Sequence, residues 1–290
     1  MKVNAAAKIN LLLDVAGKLP DGYHSLDMIM QSVDCCDTVR VDRVKGEKIK
    51  IITADERVPT DEKNIAYKAA AAFFDACKTS KNKGIEIEIE KRIPMAAGLA
   101  GGSADAAAVI YCLNELFETK LSHFELCEIG ERVGADVPFS LTGGTAYCTD
   151  KGGVIAKLPD LTDCYILLCK PNIDVSTQNA YKLIDEAERI RHTDTVSMLY
   201  AMKTRDFELM CKKASNVFEQ VIEVPKRPYI KAAMKKCGAS LSMMSGSGPT
   251  VFGVFRESQA AEKCEKLLKK EHREVYITRP CKKSIEVIEK

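Results

Sequence analysis

A lysine and an asparagine interrupt an otherwise apolar stretch near the start of the chain. Lys8 and Asn10 stand within residues 5–11, and on a strand residues two apart point to the same face. Burying either side chain without partners costs several kcal/mol, so their presence indicates a site that uses a cation beside an amide. An edge strand with one solvated face is the alternative explanation.

A single carboxylate stands among small and apolar residues further along. Asp136 lies within residues 134–139, where a predicted helix gives way to a segment predicted to be extended. An aspartate in that position can cap or end a helix, or it can accept a proton in a reaction. The sequence leaves both explanations open.

The most informative stretch is rich in glycine and lies between a predicted strand and a predicted helix. It reads Pro94-Met95-Ala96-Ala97-Gly98-Leu99-Ala100-Gly101-Gly102-Ser103-Ala104. Small residues let backbone N–H groups approach a ligand and a helix start attracts anions, so a phosphate is the natural occupant. A tight structural connection is the alternative. Because no Walker A pattern and no H-R-D or D-F-G motif occurs, phosphoryl transfer would use another architecture.

Two further turns hold residues that could bind a ligand. The turn Asp21-Gly22-Tyr23-His24 joins an aromatic ring to a titratable ring, although a histidine in a surface turn is usually inert. Residues 243–250 place Gly246 and Gly248 between two predicted strands. A hairpin turn is the simpler explanation of that second pattern.

The elements that must position these residues change in character near residue 158. Strands with inserted helices precede it, and the order helix, strand, turn, strand, helix, strand follows it, which predicts an α+β unit around an antiparallel sheet. We therefore predict an α+β protein with two domains, 1–158 and 159–290. Strands are predicted at 8–15, 25–33, 38–44, 85–90, 165–169, 240–244, 250–255 and 274–278, and helices at 64–77, 104–117, 123–133, 177–189, 206–213, 229–237 and 258–269.

Composition narrows the class of protein. The 290 residues are 46% hydrophobic and 29% charged, with a net charge of +2, so nothing indicates binding to nucleic acid or to an anionic membrane. The 12 cysteines include no C-x-x-C pair, so a zinc ribbon is not indicated and a reducing cytoplasm is expected. No apolar run approaches the ~18 residues of a membrane helix, and we expect small-molecule ligands only.

Taken in order, these stretches resemble the three signature motifs of the GHMP kinase superfamily. The motifs fall at residues 6–10, 94–107 and 244–250. Residues 20–24 and 134–139 narrow the resemblance to the 4-diphosphocytidyl-2-C-methyl-D-erythritol kinases, and it covers nearly the whole chain. It implies a ribosomal-protein-S5-like N-terminal domain and a ferredoxin-like C-terminal domain. It also implies ATP and Mg²⁺ as cofactors, and phosphorylation of the 2-hydroxyl of a cytidine diphosphate-linked polyol on the non-mevalonate route to isoprenoids.

The resemblance implies catalytic and substrate-binding roles as well. Asp136 would be the general base, and Lys8 would keep it ionised and stabilise the transferred phosphoryl group. Asn10 and Thr177 would contact the substrate. The cytosine would be bound by Tyr23, His24 and Tyr181.

For ATP, the resemblance implies an adenine pocket and a phosphate loop. Asn64 and Lys91 correspond to the adenine pocket. The loop would be formed by Pro94, Met95, Ala96, Ala97, Gly98, Leu99, Ala100, Gly101, Gly102, Ser103 and Ala104, with support from Gly246 and Gly248.

The chain departs from the family pattern inside this loop. Many relatives have glycine at the positions of Ala96 and Ala100, and serine at the position of Ala104. Alanine restricts positive φ, so we expect a cradle of slightly different shape. The metal ligand is unknown, with the Ser103 hydroxyl as one candidate acting on ATP-bound Mg²⁺.

Two other functions remain open. Another GHMP kinase, of the homoserine or mevalonate type, would not be expected to need Tyr23 and His24. A nucleotide-binding regulator without catalysis is disfavoured by the presence of both Lys8 and Asp136. The sequence decides neither between monomer and homodimer nor whether residues 190–207 are mobile.

Overall fold

The structure is a computed structural model that describes residues 1–20, 22–77 and 84–290. Asp21, part of the turn motif at residues 20–24, lies outside the described residues. The described chain forms two sheets with helices packed against them. None of the helices in these ranges is both long and apolar enough to cross a bilayer.

The larger sheet is built on two long antiparallel strands, β1 (Lys2–Lys18) and β2 (His24–Arg43). Its other strands are β3 (Ile49–Thr53), β4 (Ile85–Glu90), β5 (Thr145–Asp150), β6 (Val154–Lys157), β8 (Ser215–Asn216) and β12 (Ile285–Glu289). The order is β12-β1-β2-β4-β3, with β5 beside β2, β6 beside β5 and β8 beside β1. Lys8 and Asn10 are both buried, so the explanation of an edge strand with a solvated face is wrong.

Four helices pack beside the larger sheet: α1 (Ile65–Ala76), α2 (Gly101–Leu116), α3 (His123–Val133) and α4 (Val137–Thr142). The alanines of α2 are buried, which lets this helix approach the sheet closely. Ser122 begins α3 with a capping box in which its side chain and that of Glu125 bond each other's backbone N–H. The starts of α2 and α4 fall at two of the predicted site stretches, residues 94–104 and 134–139.

The smaller sheet is antiparallel throughout. Its strands β7 (Tyr165–Lys170), β9 (Leu241–Met244), β10 (Val251–Phe255) and β11 (Glu274–Thr278) follow the order β11-β7-β10-β9. Two helices pack against it, α8 (Arg227–Lys236) and α9 (Ser258–Leu268). The intervening chain forms α5 (Thr177–Glu186), α6 (Thr195–Thr204), α7 (Phe207–Lys213) and a 3₁₀ turn at Val217–Gln220. The predicted α+β class is confirmed.

Two local predictions are wrong. The strands predicted at 25–33 and 38–44 are one strand, because the chain between them stays paired with β1 through a register shift at Ala6/Ala7. Residues 137–139, predicted to be extended, start α4. Pro138 lies in the first turn of that helix, where a proline's missing N–H costs nothing.

The domain boundary near residue 158 stays a prediction. After that residue the chain returns to the larger sheet twice, as β8 and β12, which both pair with β1. In addition, Ala180 and Ile184 of α5 pack in one apolar cluster with Leu13 and Leu26 of the first two strands. The C-terminal half of the sequence therefore contributes to both sheets.

Candidate active site

One cavity of about 1000 Å³ extends from the glycine-rich loop to α5. This volume is at the upper end for small-molecule sites and leaves room for two ligands. Of the predicted site residues, those on its wall are Lys8, Tyr23, His24, Asn64, Lys91, Pro94, Met95, Ala96, Ala97, Gly98, Ala100, Gly101, Gly102, Asp136, Thr177, Tyr181 and Gly246. Those not on its wall are Asn10, Leu99, Ser103, Ala104 and Gly248.

Lys8 and Asp136, the predicted catalytic pair, lie close together on the cavity wall. Lys8 Nζ lies 3.5 Å from Asp136 Oδ2, and the lysine side chain is 6% exposed. It also donates a hydrogen bond of 2.8 Å to Asn10 Oδ1, as expected for two residues on the same face of β1. The Asp136 side chain makes no capping bond although the residue precedes α4, so the capping explanation does not account for it.

Asn10 keeps one unused donor beside this pair. Its Nδ2 is buried and has no hydrogen-bond partner among the described residues. A buried donor without a partner is costly in a folded protein. Asn10 lies behind the cavity wall, so the contact that the structure shows for its side chain is the hydrogen bond from Lys8 to Oδ1.

The glycine-rich loop delivers open backbone N–H groups to the cavity. Ala96 and Ala100 have positive φ values of 48° and 56°, a conformation that glycine adopts more readily than alanine. The chain after Ala100 enters α2 without a side-chain cap, so the first N–H groups of that helix are available to an anion. The side chains of Leu99 and Ala104 are buried in the core, which leaves only their backbone to take part.

The loop rests directly on the turn between β9 and β10. Ser245 Oγ donates to the carbonyl of Gly98 at 3.0 Å. A Cβ added at Gly98, whose φ is +72°, would lie 2.2 Å from the Ser245 carbonyl oxygen. Only glycine permits this approach. Thr177 Oγ1 in turn lies 2.9 Å from Ser247 Oγ, so the start of α5 is tied to the same turn.

At one end of the cavity, Asn64 is fully engaged with the backbone. Its Oδ1 accepts from Ala66 N–H at 2.8 Å, capping α1, and its Nδ2 donates to Pro59 O at 2.6 Å. Both polar groups of the side chain are therefore used. Asn64 shapes the wall of the cavity by fixing the chain before α1.

Lys91, at the same end, is held between two buried carboxylates. Its Nζ donates to Asp37 and, at 2.7 Å, to Asp105, while Asp37 also accepts from the backbone N–H groups of Arg92 and Ile93. Burial lowers the pKa of Lys91, but attraction to Asp105 and Asp37 outweighs it and the net shift is upward. Burial raises the pKa of Asp105.

At the other end, aromatic rings surround His24. Its imidazole stacks on Tyr181 with ring centroids 4.7 Å apart and an angle of 19° between the planes. Tyr181 meets Phe218 edge to face at 5.2 Å, and burial raises the pKa of its hydroxyl. Tyr23 is 63% exposed, and the Lys151 ammonium lies 4.7 Å from the centre of its ring.

Comparison with known proteins bears on this arrangement. The family described as GHMP kinases N terminal domain matches residues 64–144, and the family described as GHMP kinases C terminal matches residues 198–273. The chain belongs to the GHMP kinase family. It is therefore an ATP-dependent small-molecule kinase with the two-domain fold of that family, as predicted from its sequence.

Curated members of the GHMP kinase family resemble the chain over nearly its full length. The 4-diphosphocytidyl-2-C-methyl-D-erythritol kinase of Clostridium tetani is 41% identical, over 96% of this chain and 99% of the relative. That of Caldicellulosiruptor bescii is 42% identical, over 98% of this chain and 99% of the relative. The predicted resemblance to this group of kinases is confirmed.

Solved structures agree with the family assignment. A crystal structure of 4-(cytidine 5'-diphospho)-2C-methyl-D-erythritol kinase superposes with a TM-score of 0.79 at 28% identity, covering 97% of this chain and all (100%) of the other. A homoserine kinase from Cytophaga hutchinsonii has the same TM-score of 0.79 at 22% identity, covering 99% of this chain and 97% of the other. The second likeness shows a shared GHMP kinase fold.

The cavity of this GHMP kinase also contains charged residues that the sequence analysis did not single out. Lys18, Asp105, Lys151, Lys182 and Asp185 all lie on its wall. One signal was present in the sequence, since Asp185 follows Tyr181 by four residues and shares its helix face. The others come from segments whose proximity depends on the fold.

The described donor groups do not form a metal site made by the protein alone. Among the residues that the structure describes, no group of three or more His, Cys, Asp or Glu side chains could hold a metal. Mg²⁺ commonly uses one or two carboxylates together with substrate phosphates and water. Asp136 is on the cavity wall and supplies such a carboxylate, whereas the predicted candidate Ser103 is not on that wall.

Proposed function

We propose that this GHMP kinase transfers the γ-phosphoryl group of ATP to the 2-hydroxyl of 4-diphosphocytidyl-2-C-methyl-D-erythritol, on the non-mevalonate route to isoprenoid precursors. The observation that carries the proposal is that three features expected of such a kinase line the same cavity. The Lys8–Asp136 pair shares that cavity with the phosphate-binding loop and with the ring cluster at His24. The names of the relatives identify a substrate with a cytosine at one end and a hydroxyl-bearing chain at the other.

Asp136 is proposed as the general base. It accepts the proton of the 2-hydroxyl while that oxygen attacks the γ-phosphorus. The bond between the γ-phosphorus and the β–γ bridging oxygen breaks, and ADP leaves with that electron pair. Lys8, 3.5 Å away, pairs with this carboxylate and neutralises the phosphoryl oxygens. In phosphoryl transfer, such positioning and charge stabilisation supply most of the catalysis.

The ATP site is proposed at the glycine-rich loop. The N–H groups at the start of α2 bind the phosphates, and the adenine lies toward Asn64 and Lys91. Backbone of Leu99, Ser103 and Ala104 completes the loop, and Gly246 and Gly248 support it from the β9–β10 turn. When bound with ATP, Mg²⁺ would be held by the phosphates and water, with the Ser103 hydroxyl as the candidate protein ligand, and would neutralise phosphate charge.

The substrate site is proposed at the opposite end of the cavity. Tyr23 and Tyr181 present aromatic faces to the cytosine, an interaction worth about 1–3 kcal/mol per stacked base. His24 bonds the edge of the base. Thr177 through its hydroxyl contacts the polar part of the substrate, and Asn10 does so through its unused Nδ2 once the wall in front of it shifts. A biosynthetic role of this kind fits the cytoplasm, in a monomer or a homodimer.

The base assignment is tested by replacing Asp136. We expect Asp136→Asn and Asp136→Ala to lower kcat by about 10²–10⁴-fold, the usual contribution of a general base. Binding of a non-hydrolysable ATP analogue, measured by calorimetry, should be retained. Asp75→Asn, an exposed aspartate on α1, is the control for removing one negative charge. Turnover by Asp136→Ala at the wild-type rate would refute the assignment.

A further inference from the structure

His24 is held on two sides by the same helix. Tyr181 stacks on its ring face, and Asp185, one turn later on α5, accepts a hydrogen bond of 2.7 Å from Nε2. The His24 side chain is 10% exposed and that of Asp185 is 32% exposed. The ring therefore has a defined plane and a defined edge in the cavity wall.

The Asp185 carboxylate is itself held from the other side. Lys18 Nζ, at the end of β1, donates to Asp185 Oδ2 at 2.8 Å, so each carboxylate oxygen has one donor. These two hydrogen bonds, from Lys18 and then His24, lower the pKa of Asp185. Asp185 is thus an ionised group that can only accept hydrogen bonds.

The acceptor that faces Nε2 determines whether the other ring nitrogen, Nδ1, donates or accepts a hydrogen bond. Because the Asp185 carboxylate accepts, Nε2 must carry the hydrogen, and in the neutral ring Nδ1 is then the acceptor. Among the described residues, His24 Nδ1 has no hydrogen-bond partner. An accepting nitrogen can receive a hydrogen bond from the exocyclic amine of cytosine. It cannot bond the carbonyl oxygen that uracil has in the same place, because both atoms are acceptors.

We propose that Asp185 is a positioning residue that fixes the tautomer of His24 and thereby makes the site select cytosine over uracil. The inference rests on the proposed function, in which a cytidine-bearing substrate binds at this end of the cavity. Asp185 touches neither the reacting hydroxyl nor the phosphates of ATP, and it acts only through the imidazole.

The isosteric variant Asp185→Asn tests this directly. Lys18 can only donate, so it takes the amide oxygen of the asparagine and leaves the NH₂ group facing Nε2. Nε2 then becomes the acceptor and Nδ1 the donor, which is the wrong polarity for cytosine and the right one for uracil. Size and shape are unchanged, so a loss of packing does not explain the result.

The measurement is the preference for cytidine over uridine, at about pH 8, where imidazoles are mainly neutral. We expect Asp185→Asn to lower the ratio of kcat/KM for the cytidine substrate to that for its uridine analogue on the order of tenfold, the effect of one hydrogen bond. The change should appear in KM, with kcat for the cytidine substrate nearly unchanged. Asp185→Glu, which keeps an acceptor-only group, should recover part of the preference.

Controls separate this inference from the proposed function. Glu188→Gln, three residues further along the chain and exposed, removes the same charge and should keep the wild-type preference. Calorimetric binding of cytidine and uridine monophosphates, without ATP, gives a second readout that needs no turnover. An unchanged cytidine-to-uridine ratio in Asp185→Asn overturns the inference. Selective binding of cytidine monophosphate by a wild-type protein that does not phosphorylate the cytidine substrate overturns the proposed function instead.

Discussion

At the scale of single residues, one buried cation balances two buried carboxylates. Lys91 is 7% exposed in its side chain, and Asp37 and Asp105 are 0% and 5% exposed. Asp105 Oδ1 has no hydrogen-bond partner in the described chain. The arrangement makes Lys91 a structural element of the cavity wall, so its charge is already used before any ligand binds.

Removing that cation should destabilise the protein strongly. We expect Lys91→Met to lower the free energy of unfolding by about 3–5 kcal/mol, because it leaves buried carboxylates uncompensated. Chemical denaturation measures the effect. Lys50→Met is the matched control, since Lys50 pairs with Glu86 at 2.9 Å on the surface of the same sheet, and such exposed pairs contribute about 0–1 kcal/mol.

A second substitution tests whether charge is the cause. Asp105→Asn keeps the shape of the side chain and removes one negative charge, so the double variant with Lys91→Met should regain part of the lost stability. If Lys91→Met were no more destabilising than Lys50→Met, the account of this cluster would be wrong.

Residue roles differ in how far the sequence predicts them. Lys8 and Asn10 could be assigned to a common face because a strand alternates its side chains, and the distance of 2.8 Å between them bears this out. The partnership of Asp185 with His24 joins residues 161 positions apart. No local pattern predicts such a contact, since it arises only when α5 packs on the larger sheet.

At the scale of elements, the loop before α2 depends on its contact with the β9–β10 turn. Gly98 is the point of closest approach, and its left-handed conformation and its lack of a Cβ are both needed there. The two glycine-rich turns, which the sequence presents as separate features, are in direct contact and together support the proposed phosphate site.

Substituting this glycine should damage both stability and nucleotide binding. We expect Gly98→Ala to cost about 1–2 kcal/mol from the left-handed backbone and more from the clash with the Ser245 carbonyl. The KM for ATP should rise because the loop must move. Gly46→Ala controls for backbone strain alone, since Gly46 has φ +112° and no atom within 4 Å of an added Cβ. Equal losses in the two variants would contradict the docking role of Gly98.

Most elements could be predicted from hydrophobic period and caps, and the exceptions have physical causes. The helix at residues 123–133 and the strand at 85–90 match their predicted bounds, because a capping box and strict alternation define them locally. The helix α4 was not predicted, since its 6 residues are too few to show a period. Four of the five residues of β12 are exposed, so the sequence shows no clear apolar alternation that would predict its pairing with β1.

At the scale of the whole molecule, the cavity is formed by parts that are distant in the chain. β1, the loop before α2, the start of α4, α5 and the β9–β10 turn each contribute to its wall. The family resemblance predicted that these stretches converge, whereas composition and periodicity alone predicted only an α+β protein. Ala96 and Ala100 are positions at which the chain departs from the family pattern. Both alanines adopt the positive φ that glycine favours.

The most direct test of the central claim is phosphorylation of a panel of alcohols by the purified protein with ATP and Mg²⁺. The panel offers 4-diphosphocytidyl-2-C-methyl-D-erythritol, homoserine and mevalonate separately, with ADP release and the position of the new phosphate as readouts. We predict turnover with the cytidylated substrate only, and phosphate on its 2-hydroxyl. Turnover with homoserine or mevalonate in preference to it, or no turnover with any of the three despite ATP binding, would contradict the account.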